Sequence, residues 1–125
     1  MSNYQDLGAI QKNVLIHVFD GDNQYSPPVE ITGGFNISVI ALTHEGGAPL
    51  PAFIGTVSIE RAFIDLVNSP ITSGFIPPTE DFIWAPVVSG NSFEQVDNHP
   101  GNAVYRAFIP TGGYTQGKAI VRLGL

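Results

Sequence analysis

Apolar and polar residues alternate along much of this chain with a period of two, while runs with a helical period are scarce. Successive side chains of an extended strand point to opposite faces, so a period of two marks a strand with one buried face. Residues 35–42 follow Gly33-Gly34 and place Phe35, Ile37, Val39 and Ala41 on one face, with Asn36 and Ser38 opposite. Residues 53–61 alternate again: Phe53, Val57 and Ile59 face one way, and Thr56, Ser58 and Glu60 the other. Residues 13–19 form a β-rich run that stops at the turn cluster Asp20-Gly21-Asp22-Asn23.

The second half continues the pattern. Residues 82–88 include Trp84 and are interrupted by Pro86, which has no N–H to give a central ladder, so an edge strand or a bulge is predicted. A lone Trp in a strand of a small sandwich is expected in the core. Residues 103–109 and 118–123 are two more strands, and Pro110-Thr111-Gly112-Gly113-Tyr114 between them suits a hairpin. The best helical candidate, residues 59–67, is built from β-branched and aromatic residues rather than helix formers. Three segments do not read as strands. Residues 1–12 resemble an arm that orders on contact, residues 21–28 are a polar loop ending in Pro27-Pro28, and residues 64–81 carry Pro70, Gly74, Pro77 and Pro78. Loops longer than ~12–15 residues are commonly functional. The predicted fold is all-β: a single antiparallel β-sandwich, or flattened barrel, of about seven to eight strands. It comprises an N-terminal arm at 1–12 and a β-sandwich domain at 13–125.

Composition narrows the chemistry. With 125 residues the chain supports one domain, and with no cysteine it has no disulfide, thiolate metal site or cysteine nucleophile. Only 13% of residues are charged, half the usual share, while there are 14 glycines and 10 prolines. A weakly charged, turn-rich surface suits a protein that works against neighbours. The net charge of −6 and the five Lys plus Arg argue against a nucleic-acid partner, which needs clustered positive charge. The first residues carry no basic region followed by an apolar stretch, and the apolar runs fall short of the ~20 residues that span a bilayer, so no membrane partner is expected.

Active sites need titratable groups that converge. The three histidines, His17, His44 and His99, match no helical metal motif, and no Gly-x-Ser-x-Gly elbow is present. Asp20-Gly21-Asp22-Asn23 resembles the start of a calcium loop, but Tyr25 stands where the glycine should be and Ile31 where the closing glutamate should be. None of the double glycines opens a predicted helix that could hold phosphate. No enzyme activity, cofactor or metal is therefore expected. Arg61, Arg106 and Arg122 lie in or at the end of predicted strands, where an unpaired charge is costly. Glu60, Arg61, Arg106 and Arg122 are thus read as structural ion-pair residues, with Glu60 a cross-strand partner for one arginine. Trp84, Tyr105 and Tyr114 are the rings a sugar site would use.

Four stretches taken together resemble a known family. They are Phe53-Ile54-Gly55-Thr56-Val57-Ser58-Ile59-Glu60-Arg61-Ala62-Phe63, Trp84-Ala85-Pro86-Val87, Tyr105-Arg106, and Tyr114-Thr115-Gln116-Gly117-Lys118-Ala119-Ile120-Val121-Arg122-Leu123. Their order resembles that of small tailed-phage virion proteins, with G-T-V-x-L-x-R-S-F-D-G-G-x-T-W-x-P-V, a later Y-R and a closing Y-T-S-G-x-A-x-V-R-L. Ala62 and Gln116 each stand where the family has Ser, and residues 64–81 replace its tight hairpin. The resemblance implies a β-sandwich virion component, a capsid decoration (cement) protein. Such a protein binds the major capsid protein as a homotrimer, is made in the host cytoplasm and resides on the capsid surface. Tyr4, Leu7 and Ile10 of the arm and Ile71, Phe75 and Ile76 of the long loop are the partner contacts expected on that reading. The alternatives are a carbohydrate- or receptor-binding sandwich module and a head–tail junction or tail component of the same virion.

Overall fold

The computed structural model describes residues 11–63 and 82–124, which contain no helix. No helix of the described residues is thus long and apolar enough to cross a membrane. The described residues form twelve strands: β1 (Gln11–Lys12), β2 (Val14–Phe19), β3 (Gln24–Tyr25), β4 (Val29–Leu42), β5 (His44–Glu45), β6 (Ala48–Pro49), β7 (Ile54–Gly55), β8 (Val57–Phe63), β9 (Ala85–Gly90), β10 (Phe93–Ile109), β11 (Tyr114–Gln116) and β12 (Lys118–Gly124). The main sheet runs β2-β12-β4-β10-β8-β9, with β1 joined to β4 and β3 to β10. All its pairings are antiparallel except that of β1. The fold is all-β.

Two long strands turn this one sheet into two layers. In the β4–β10 ladder Tyr105 lies opposite Val29, and Phe35 is six residues further along β4. At ~3.3 Å per residue a straight ribbon would hold Phe35 and Tyr105 roughly 20 Å apart. Their ring centroids are 4.6 Å apart, edge to face. The ribbon therefore folds over on itself, at Gly33, whose φ is +85°, and at the register shift between His99 and Asn102 on the facing strand. Glycine permits that conformation without a Cβ clash, and a bulge bends the partner strand. One layer holds β2, β12 and the far half of β4. The other holds the near half of β4 with β8, β9 and the end of β10.

Between the layers lies the core. Leu15 and Phe19 of β2, Ile37 and Val39 of β4, and Val121 and Leu123 of β12 meet Val57 and Ile59 of β8 and Ile109 of β10, all buried. The faces read from alternation in residues 35–42 and 53–61 are the faces observed.

Several expectations need correction. Gln11 and Lys12, assigned to the arm, pair in parallel with Val29 and Glu30 as β1. Strand β4 begins at Val29 rather than after Gly33-Gly34, because the glycine pair bends the strand without ending it. Within the predicted helical candidate, β8 runs to Phe63, since its partners on β10 and β9 supply ladder bonds on both sides. Residues 103–109 and 118–123 form no hairpin: β10 pairs with β4, β8 and β3, and β12 with β2 and β4. The turn between them, closed by a Gly113 N–H to Pro110 carbonyl bond of 2.8 Å, instead carries the chain between layers. On the way β11 pairs with β7. Pro86 does sit in the edge strand β9, opposite a register shift between Ile59 and Glu60.

Candidate functional site: two outer sheet faces

The outer face of the β10–β8–β9 layer is aromatic and charged. Ladder register puts Glu60 opposite Arg106 and Ser58 opposite Phe108, with Pro86 beside Glu60 and Ser89 beside Ser58. The Glu60 carboxylate accepts from the Arg106 Nε–H, a partly buried ion pair. Arg106 also lies over two rings, 4.1 Å from the Trp84 centroid and 4.9 Å from that of Tyr25. Tyr25 stacks on Phe108 at 5.1 Å, and Phe82 meets Trp84 edge-on at 5.8 Å. The result is a continuous ladder along one face, Phe82, Trp84, Arg106, Tyr25, Phe108. Trp84 is thus half-buried on the outside and not in the sandwich core. Phe82 is buried with Ala62 and Val104, and Trp84 packs against that small cluster from outside.

Tyr25 reaches this face because the 20–28 loop is pinned. Gln24 donates from Nε2 to Asp20 at 2.8 Å and accepts the Asp20 N–H at 3.0 Å, while both Asp22 carboxylate oxygens accept the Gly112 N–H. Buried Ser26 accepts the Ala107 N–H at 2.9 Å and its own N–H donates to the Ala107 carbonyl at 2.8 Å. The carboxylates of the calcium-like motif therefore close turns.

A second polar cluster sits where the ribbon folds. Asp97 accepts from the Tyr105 hydroxyl at 2.8 Å and from Arg61 Nη1 at 3.3 Å. Tyr105 is 1% exposed, and burial followed by the bond to Asp97 pushes its phenol from 10.0 up to about 12. The phenol is thus held protonated across the range in which the unfolded chain ionises. Folding stability is expected to fall between pH about 10 and pH about 12, because the unfolded state releases that proton first. Phenolate absorbance measured against pH, with Tyr105→Phe as reference, checks this. An ordinary titration at every tyrosine would refute it.

The ion-pair residues are placed as follows. Glu60 joins Arg106, and Arg61 joins Asp97, a partner that the strand pattern did not indicate. Arg122 is exposed on β12. Tyr105 is in the core, which removes its ring from any sugar site, and partly buried Tyr114 packs against Phe53 and donates its hydroxyl to the Gly117 carbonyl at 2.8 Å. Tyr4, Leu7, Ile10, Ile71, Phe75 and Ile76 lie outside the described residues. His17 meets Phe19 edge-on, its pKa lowered by burial against a weaker opposing pull from Asp20; His44 bonds its neighbour Thr43. Among the described residues no group of three or more His, Cys, Asp or Glu converges on a metal position.

The outer face of the other layer carries exposed aliphatic side chains, with Arg122, Ser38, Asn36 and Glu94 between them. Val18, Ile120 and Ile40 share one row across β2, β12 and β4; Ile16, Arg122 and Ser38 share the next; Asn36 pairs with Val96 beyond. Ile16 is 61% exposed and Val96 68%, with Val14, Val18 and Ile40 also exposed. Among the described residues strand β2 is an edge of the sheet and, unlike β9, carries neither a proline nor a bulge. Edges of that kind invite pairing.

Fold and faces define an all-β chain with one aliphatic and one aromatic–guanidinium outer surface. No protein-family model and no curated protein matches it. Solved structures similar to it include the surface-associated copper-binding protein CorA of Methylomicrobium album BG8, at 7% identity and a TM-score of 0.43, covering 94% of this chain and 98% of that one. The pre-peptidase C-terminal domain of Bacillus anthracis collagenase has 15% identity and a TM-score of 0.37, covering 92% of each chain. The enzymatically active domain of bacteriophage CBA120 tailspike protein 4 has 14% identity and a TM-score of 0.35, covering 100% of this chain and 21% of that one. These scores are too low to carry functional meaning, and the chemistry is read from this chain's own residues.

Proposed function

We propose that this chain is a non-enzymatic structural protein of a tailed-phage virion, decorating and cementing the capsid by binding the major capsid protein. The motif order in the sequence motivates the virion assignment. The observation that carries the mode of action is the set of exposed aliphatic side chains on the outer face of β2, β12 and β4, Ile16 among them, with Val96 on the adjoining β10. Large aliphatic side chains exposed together on one sheet face mark a contact site. A cement protein performs no bond chemistry; it adds interface area between shell subunits, and trimers over three-fold positions attach multivalently.

The test uses purified protein and capsid shells that lack it. Co-sedimentation should saturate, light scattering should give a trimer of the 13.4 kDa chain, and Ile16→Asp or Val96→Asp should weaken shell binding by at least about tenfold. Lack of shell binding by the unaltered protein would overturn the proposal, as would variants that bind equally well. Negative-stain localisation on particles separates the capsid surface from the head–tail junction and the tail.

A further inference from the structure

The opposite outer face supports a different kind of contact. A groove of about 280 Å³ opens between β9 and the neighbouring strands, walled by Phe108 and Pro86 and edged by Ser58, Ser89 and Glu60. Its size falls just below the ~300–1,000 Å³ range of ligand pockets, which suits one six-membered ring rather than a large cofactor. The groove exists because register brings two small side chains, Ser58 and Ser89, side by side next to a phenyl ring. Larger residues at those positions would make the surface flat.

We propose that this groove binds a single pyranose unit of a neutral glycan, with Tyr25 supporting the next unit. A pyranose offers an apolar C–H face and a rim of hydroxyls. Phe108 and half-exposed Tyr25 provide aromatic surface for the first. Glu60 and the two serine hydroxyls provide acceptors and donors for the second. Glu60 is already oriented by Arg106, and Arg106 is held against Trp84 and Tyr25, so little ordering remains to be done on binding. The guanidinium charge is balanced by Glu60 and the whole chain carries −6, which selects neutral over acidic sugars. Tyr105 and Tyr114 take no part. This inference stands apart from shell binding, which uses the other face.

An array of neutral hexose and N-acetylhexosamine oligosaccharides, with uronic-acid and sialylated ones alongside, tests it on the full chain. A neutral glycan should bind saturably and change the fluorescence of Trp84, the only tryptophan. Ser89→Tyr, at an exposed edge position, should fill the groove, and Tyr25→Ala should remove the second ring; each should weaken binding by at least about tenfold. Unchanged thermal unfolding and unchanged shell binding of Ser89→Tyr would separate this result from misfolding and from failure of the capsid reading. Silence across the array, binding confined to acidic glycans, or full binding by both variants would each overturn it.

Discussion

Replacing Gly117 by alanine is expected to destabilise the protein by about 3–5 kcal/mol, among the largest effects a single methyl group can have. Gly117 has a φ of +84°, where a Cβ costs ~1–2 kcal/mol in any surroundings. Here the added Cβ would also stand 2.6 Å from the Phe53 Cα and 2.7 Å from the Ala52 carbonyl oxygen. Both obstacles are backbone, so relief requires moving the 52–53 segment. That segment is held by Gln116 donating to the Ala52 carbonyl at 3.0 Å and Asn91 donating to the Phe53 carbonyl at 2.9 Å. The Phe53 side chain is itself part of the core. Gly112 makes the matched control: its φ is +83°, yet nothing lies within 4 Å of where its Cβ would be. Gly112→Ala should therefore cost only the conformational share, about 1 kcal/mol. Chemical denaturation of both variants decides the matter. Equal losses would mean that the close approach to Phe53 contributes nothing.

Removing the Asp97 carboxylate should cost about 3 kcal/mol in Asp97→Ala, because two donors then lose their acceptor where water is scarce. Tyr105 is fully buried, and the side chains of Arg61 and Asp97 are only 21% and 16% exposed. The low end of the range for a broken buried pair is used because of that residual exposure. The cluster also ties the two halves of β10 together across the fold in the ribbon, eight residues apart in sequence. Asp97→Asn, which keeps one carbonyl acceptor, should fall between wild type and alanine. Combining Asp97→Ala with Tyr105→Phe should cost less than the sum of the single changes, since the second removes a donor that the first leaves stranded. A loss below about 1 kcal/mol in Asp97→Ala would show that the fold in the ribbon does not depend on this cluster.

The candidate surfaces were legible to different degrees. Glu60 and Arg106 both occupy outward positions on alternating runs, and cross-strand pairing needed only that the two strands be neighbours. Phe108 shares its face with Arg106 and could be placed there from parity alone. Tyr25 could not, because it belongs to a turn-rich segment whose two-residue strand exists only through pairing with the end of β10. Asp97 was equally hidden: it lies in a polar stretch beyond the register shift at His99 and Asn102, where no apolar alternation marks a strand. Trp84 was expected inside on residue type, but it lies half-buried against the Ala62, Phe82 and Val104 cluster, under Arg106.

By itself, the order of residues determined the all-β class, the buried face of each alternating strand, and that the Pro86 segment is an edge strand or a bulge. Those properties are local: side-chain direction follows from position parity, and a missing N–H acts wherever proline stands. Only the tertiary structure decided which strands pair, that Gly33-Gly34 bends a strand instead of ending it, and that residues 103–109 and 118–123 lie in different layers. Pairing choices join residues far apart in the chain, and their energies depend on packing across the sandwich, which no short window of sequence contains. The same holds for both outer faces, since each is assembled from strands that are neighbours only after the sheet has folded over.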